Sequence, residues 1–463
     1  MSTIFTPLRD WFLGLGAVVR WSIVTVAAVF VLALGVFVWF AATPGPMDFA
    51  GGETVALADY HGGDPTGVPA SLKNASLVER GAYLARAADC MVCHTQKGGT
   101  QYSGGLAFTL TIGTIYSTNI TPDQETGIGN YSDAQFLAAV RQGVRADGAR
   151  LYPAMPYASY TFLTDEDALA IKAYLFSLAP VHAPGKPATL SFPFNQRWAM
   201  AVWSWMFNPS ERFEPNTAQS AEWNRGAYLV EALTHCGECH TPRNVAFALS
   251  NGRKFAGERQ AGWLAYNISG DQGTGIGAWT NDDILAYLKV GHVDGHGTAS
   301  GPMGEAVDYS FSQLTPEDLH AIVAYVRSVP ATSSRDVPSA LAAEASPSHR
   351  QGPDASNERG KKIFEGACVS CHGWSGVSPI LPYATLTGAR AVNDPSATNV
   401  AQIIISGTKR MTAQGVVAMP AFGRTLSDIE VAAVANYVTA RFGSQPSAIS
   451  EGDVAQLRRE VAR

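Results

Sequence analysis

Cysteine is scarce in this chain, and what there is leaves nothing over. Six occur in 463 residues. They fall as Cys90-Met91-Val92-Cys93-His94, Cys236-Gly237-Glu238-Cys239-His240 and Cys368-Val369-Ser370-Cys371-His372. None remains for a disulfide, so cysteine usage does not report the redox compartment in the ordinary way. Charge is scarce too, at 16% of residues, against about 25% in an average soluble domain. The net charge of −6 argues against a nucleic-acid partner. No Gly-x-Gly-x-x-Gly or Walker spacing appears, and no nucleophile–base signature. Nucleotide chemistry and covalent hydrolysis are therefore not what the chain is built for. Long apolar runs are absent but for one, near the amino terminus.

The three five-residue signatures have a direct physical reading. Positions i, i+3 and i+4 share one face of a helical turn. Two thiols on that face can each add to a vinyl group of haem, and the adjacent imidazole can ligate its iron. Cys-x-x-Cys-His is the attachment site of c-type haem. A single copy would leave a thioredoxin-like pair or half of a zinc site open. Three copies, each closed by His and together consuming every Cys, leave little room for either. Bound haem also explains how so little charge suffices, because the cofactor supplies buried apolar surface.

The one long apolar run, Trp21 to Ala42, holds 22 residues without a charge. At about 1.5 Å per residue it spans roughly 33 Å, enough for a hydrocarbon core of about 30 Å. Arg9 and Arg20 precede it and acidic residues begin at Asp48, which places the amino terminus in the cytoplasm and the rest outside. A cleaved signal is the competing reading. It normally has a shorter apolar core, and Phe40-Ala41-Ala42 is a poor cleavage site. The expectation is an uncleaved anchor over 1–43.

Beyond the anchor the chain divides by its signatures: 70–180, an aromatic-rich linker 181–219, 220–330, an Ala/Ser/Pro-rich flexible linker 331–354, 355–445, and a tail 446–463. The first two haem segments repeat each other. Glu79-Arg80-Gly81-Ala82-Tyr83-Leu84 is echoed by Asn224-Arg225-Gly226-Ala227-Tyr228-Leu229, and Thr126-Gly127-Ile128-Gly129 by Thr274-Gly275-Ile276-Gly277. That pattern is internal duplication. Ser76–Glu79, Ser132-Asp133, Thr164 and Ser427 are helix-start signals. The stretch between His94 and Tyr131 reads as a Gly- and Thr-rich loop, and the tail as a short amphipathic helix.

A haem iron with a proximal His takes a sixth ligand or stays open. Met155 lies between prolines, with core filling as its bland role and His182 as the other imidazole nearby. Met303 competes with His292 and His296, and Met419 with Met411. Met155, Met303 and Met419 are the expected ligands, 61, 63 and 47 residues after their histidines.

An opening helix with a glycine, the Cys-Cys-His signature, a Met-bearing loop and a closing helix with a tyrosine resemble a class I c-type cytochrome domain. The resemblance implies a mainly α fold of three tandem class I cytochrome c domains preceded by one transmembrane helix. It also implies that Gly81 meets Tyr174, Gly226 meets Tyr325 and Gly360 meets Tyr437 where first and last helices cross. Tyr116-Ser117-Thr118-Asn119-Ile120-Thr121-Pro122-Asp123, Pro193-Phe194-Asn195-Gln196-Arg197-Trp198 and Cys239-His240-Thr241-Pro242-Arg243-Asn244 make the whole of 70–445 similar to the triheme cytochrome c subunit of membrane-bound bacterial dehydrogenases. That resemblance implies three covalent haems c. It implies periplasmic haem domains on the bacterial inner membrane, a catalytic partner (a molybdopterin/iron–sulfur subunit first, then a quinoprotein or flavoprotein) and ubiquinone as acceptor. An uncleaved anchor points to aldehyde, then alcohol, as the substrate. A stand-alone periplasmic carrier to a terminal oxidase and a haem peroxidase with an open distal site are the rival readings.

Overall fold

Helix starts are written into this chain as capping residues. In the structure, a computed structural model that describes residues 12–41, 44–110, 112–334, 357–413 and 415–461, most of those starts carry helices. Two compact units are present, Met1–Gly45 and Pro46–Arg463. The first contains helix α1, Ala17–Ala41, over the stretch expected to cross a bilayer. Its described apolar side chains, among them Val26, Phe30 and Leu32, are exposed. Among the described residues, no helix is long and apolar enough to cross a membrane.

In the second unit α2 (Leu77–Ala87) opens on the Ser76–Glu79 capping box. A hairpin of β1 (Ala107–Leu110) and β2 (Gly113–Tyr116) follows, then α3 (Asp133–Gln142), α4 (Asp165–Ser177) and α5 (Ala199–Phe207). The second repeat supplies α6 (Ala221–Tyr228), the ribbon β3 (Glu258–Gln260) with β4 (Trp263–Ala265), and α7 (Asn281–Val290). It continues with β5 (His292–Val293) paired to β6 (Gly297–Thr298), α8 (Gly301–Tyr309) and α9 (Pro316–Ser328). The third supplies α10 (Glu358–Ala367), α11 (Thr398–Ser406), and the hairpin of β7 (Thr408–Thr412) and β8 (Gly415–Met419). It closes with α12 (Asp428–Phe442), and the tail adds α13 (Glu451–Val461). The loop expected after His94 thus contains a hairpin, built on Phe108, Thr109, Thr114 and Ile115, residues that suit a pleated ribbon.

One helix crossing recurs three times: α2 on α4, α6 on α9 and α10 on α12. At each, a glycine lies against the partner backbone. A Cβ on Gly81 would run into the Ala170 carbonyl and stand 3.0 Å from Tyr174 Cβ. Gly226 stands likewise against Ala321 and Tyr325, and Gly360 against Ala433 and Tyr437. Only the absence of a side chain lets these backbones approach so closely.

Among the described residues the hydrophobic interior gathers into two clusters. One core runs from Tyr83 to Val329 through the first and second repeats, and a second from Phe364 to Leu457. Within the expected linker 181–219, Phe213 is buried with its ring 5.3 Å from that of Tyr228, and the Trp203 indole donates to the Ala246 carbonyl. Phe192 and Trp198 remain exposed. The tail buries Val454 and Leu457 in the second core. The expected flexible linker 331–354 lies, from 335 onward, outside the described residues.

Cross-repeat bonds hold these parts together. Tyr83 Oη donates to Asp318 Oδ2 at 2.6 Å, and Tyr228 Oη to Asp167 Oδ2 at 2.5 Å. The third repeat docks on the second through Arg410, which is fully buried. It pairs with Asp308 at 2.8 Å and donates to the Ala299, Gly291 and Val290 carbonyls. With its donors so matched, the cost of burying a guanidinium is offset. Asn399 adds a two-way amide bond to the Leu264 backbone, 2.9 Å in each direction.

Candidate haem sites

Each signature is one helical turn. The amide of His94 bonds the carbonyl of Cys90, that of His240 the carbonyl of Cys236, and that of His372 the carbonyl of Cys368, each at 3.0 Å. The i to i−4 closure places the first thiol and the imidazole on one face, as the spacing predicts. The six cysteines are free thiols. Burial pushes Cys90 up to about 12 and Cys236 and Cys368 to about 11.

The three histidines share a feature that the sequence does not display. Nδ1 of His94 bonds the Thr118 carbonyl at 2.7 Å, that of His240 the Tyr266 carbonyl at 2.6 Å, and that of His372 the Ala384 carbonyl at 2.6 Å. A carbonyl only accepts, so Nδ1 carries the proton and Nε2 keeps its lone pair for a metal. Burial lowers all three pKa values. For His240 the Arg390 charge adds to burial, against the Tyr266 carbonyl, and brings it to about 4. The imidazoles are neutral donors at pH 7.

The sixth-ligand candidates lie as follows. Met155 is at a bend, half-buried against the shared core. Met303 also packs there, but from the first turn of α8 rather than from a loop. Met419 ends β8 and packs on the second core, whereas Met411 is 57% exposed. The rival imidazoles are engaged elsewhere. His182 lies between Asp123 and Glu125, His292 bonds Thr298 and Asp294, and His296 stacks on Trp279 with ring centres 4.0 Å apart. Among the described residues no three or more His, Cys, Asp or Glu side chains converge to hold a bare metal ion. The chain offers axial donors one imidazole at a time, which fits a macrocycle that brings four nitrogens of its own.

The first two repeats are bonded to each other beside their attachment turns. Ser159, just after Met155, donates to Glu238 inside the second signature at 3.1 Å, and Ser310, just after Met303, donates to the Ala87 carbonyl before the first, at 3.4 Å. The Met-bearing stretch of each repeat thus touches the attachment turn of the other.

Comparison with known proteins bears on what these sites are. The cytochrome c family model matches residues 78–179, and that of cytochrome C oxidase, cbb3-type, subunit III, matches 355–438. The gluconate 2-dehydrogenase cytochrome c subunit of Pantoea cypripedii is 39% identical over 84% of this chain and 90% of its own length. The fructose dehydrogenase cytochrome subunit of Gluconobacter japonicus is 40% identical over 85% of each. The cytochrome c subunit of alcohol dehydrogenase (quinone) from Gluconacetobacter polyoxogenes is 37% identical over 83% and 85%. The chain belongs to the cytochrome c subunits of membrane-bound dehydrogenases. It is an electron-transfer subunit with covalently bound haem c, and its relatives work beside a catalytic subunit.

Proposed function

We propose that this subunit holds three haems c, at Cys90, Cys93 and His94, at Cys236, Cys239 and His240, and at Cys368, Cys371 and His372. Met155, Met303 and Met419 are the sixth ligands. The subunit carries electrons from a periplasmic dehydrogenase subunit to ubiquinone in the bacterial inner membrane. The observation behind this reading is the thrice-made turn whose imidazole Nδ1 is committed to a carbonyl. Haem c with His/Met ligation supplies one-electron exchange at a raised potential. The chain's part is to present an imidazole and a thioether, to exclude water with two apolar cores, and to fix the sites close together. Three half-buried methionines against those cores favour closed irons over a peroxidase with an open distal position.

The membrane end of the proposal rests on α1. Its 25 residues carry a single charge, at Arg20. Exposed valine, leucine and phenylalanine on a helix of this kind gain by entering lipid, at roughly 25 cal/mol per Å². The positive-inside rule then puts the haem-bearing unit in the periplasm. A single anchor also favours a membrane-held subunit over a free carrier. An uncleaved anchor supports an aldehyde-oxidising molybdopterin/iron–sulfur partner. The likeness to the gluconate and fructose subunits supports a second reading, a sugar or sugar-acid substrate.

Two experiments test this. A pyridine haemochrome assay on the purified full chain should give three haems, and fewer would overturn the haem assignment. In membranes from a strain lacking only this chain, aldehyde-dependent ubiquinone reduction should be lost. If gluconate-dependent reduction is lost instead, the second reading holds. If both persist with the partner folded, the relay role is wrong.

A further inference from the structure

Arg390 belongs to the third repeat, yet its guanidinium lies against the second. It sits over the ring of Tyr266, 4.6 Å from the centroid. It donates to the carbonyls of Thr274 and Gly275, in the glycine-rich loop of the second repeat. Tyr266 is also the residue whose carbonyl orients His240, and its hydroxyl donates to Asp394 of the third repeat at 3.2 Å. The third repeat therefore grips, with one cation and one carboxyl, the residue that fixes the second imidazole. The polar partners of Arg390 are neutral carbonyls and a ring face. The carboxylates of Asp394 and Asp271 act on it only as longer-range attractions, and burial pushes the Asp394 carboxyl up towards its neutral form.

We infer that Arg390 is a potential-setting residue that acts across the repeat boundary: its fixed charge favours the ferrous state of the haem held at Cys236, Cys239 and His240. The physics is electrostatic. A ferric haem carries one more positive charge than a ferrous haem, so a cation nearby disfavours oxidation. Arg390 is half-buried, so water screens that field only in part. Protein charge and burial around a haem are recognised determinants of its potential. The second haem is then tuned by the third repeat, and only while that repeat is docked.

This inference rests on the three-haem reading, and the test keeps the two apart. Spectroelectrochemical titration of the full chain is compared for the parent protein, Arg390→Gln, Arg390→Met and Arg390→Lys. Glutamine keeps a donor towards Thr274, and methionine keeps an apolar stem over Tyr266, should the glutamine variant not fold. In either neutral variant one midpoint should fall, by about a tenfold change in the ratio of reduced to oxidised haem at fixed potential, or ~59 mV for one electron. The other two should stay in place, and lysine should keep most of the parent value. Three unchanged midpoints in a folded neutral variant would overturn the inference. So would lysine falling as far as glutamine, since packing rather than charge would then be responsible. Fewer than three haems in the parent protein would instead sink the three-haem reading.

Discussion

A single proton decides which imidazole nitrogen is free, and here three backbone carbonyls decide it. Spacing reveals the cysteines and histidines because covalent attachment needs side chains at fixed intervals. It cannot reveal Thr118, Tyr266 or Ala384, because every residue has a carbonyl and only the fold selects one. The choice between Met411 and Met419 turns on burial. Met419→Ala should lower one haem potential and open that iron to carbon monoxide, whereas Met411→Ala, at an exposed ribbon position, should do neither. Carbon monoxide difference spectra of the reduced variants check this. Asp89 is a residue that spacing gave no reason to notice. Its Oδ1 is buried without a hydrogen-bond partner, and burial, with Glu305 adding to it, raises its carboxyl to about 8. Between about pH 4 and 8 the folded state then holds a proton that the unfolded state has lost, so stability falls as pH rises through that range. Asp89→Asn, which has no carboxyl to titrate, should remove that fall, leaving stability level between pH 5 and pH 8. Denaturant melts at pH 5 and pH 8 would show it.

At the scale of elements, the three helix crossings depend on glycine. Gly360→Ala drives a Cβ into the Ala433 carbonyl and to 2.8 Å from Tyr437 Cβ. Overpacking of this kind costs ~1–3 kcal/mol. Gly366→Ala, on the same helix α10 with nothing within 4 Å, should instead stabilise by ~0.8–1 kcal/mol. Thermal melts of the two variants should therefore move in opposite directions. Helix starts were legible because Ser76, Ser132, Thr164 and Ser427 announce themselves three residues ahead of a partner for their side chains. The ribbons were less so. β1 with β2 is short and flanked by glycine, and β7 with β8 carries its Met at a strand end where a loop was expected. The tail helix α13 showed its apolar spacing, but where it would pack depends on α11 and α12, far off in sequence.

For the whole molecule, the division into three signatures was legible and the way the repeats join was not. Contacts such as Arg410 with Asp308 link residues 102 apart, and no local pattern marks them. Asp308→Asn leaves the fully buried Arg410 without its counter-charge, a loss of ~3–5 kcal/mol. The third repeat should then separate from the second, seen as a larger radius of gyration in small-angle scattering and slower internal electron transfer after flash reduction. An unchanged radius would show that Asn399 and Arg390 suffice to hold the dock.

The two tyrosine–aspartate bonds between the first and second repeats have a meaning beyond their strength. Tyr83 and Tyr228 occupy matching positions, as do Asp167 and Asp318, so each repeat offers its tyrosine to the other's carboxylate. One patch meeting its own copy is the geometry of an isologous, two-fold dimer. A single unit with one such tyrosine and one such aspartate would carry both halves of that interface, and a substitution in it would be felt twice. Two copies in one chain are free of that coupling. Asp318 now also takes the guanidinium of Arg225, while Asp167 takes the backbone amide of Gly67. The covalent join turned a symmetric pair into two positions that selection can alter one at a time.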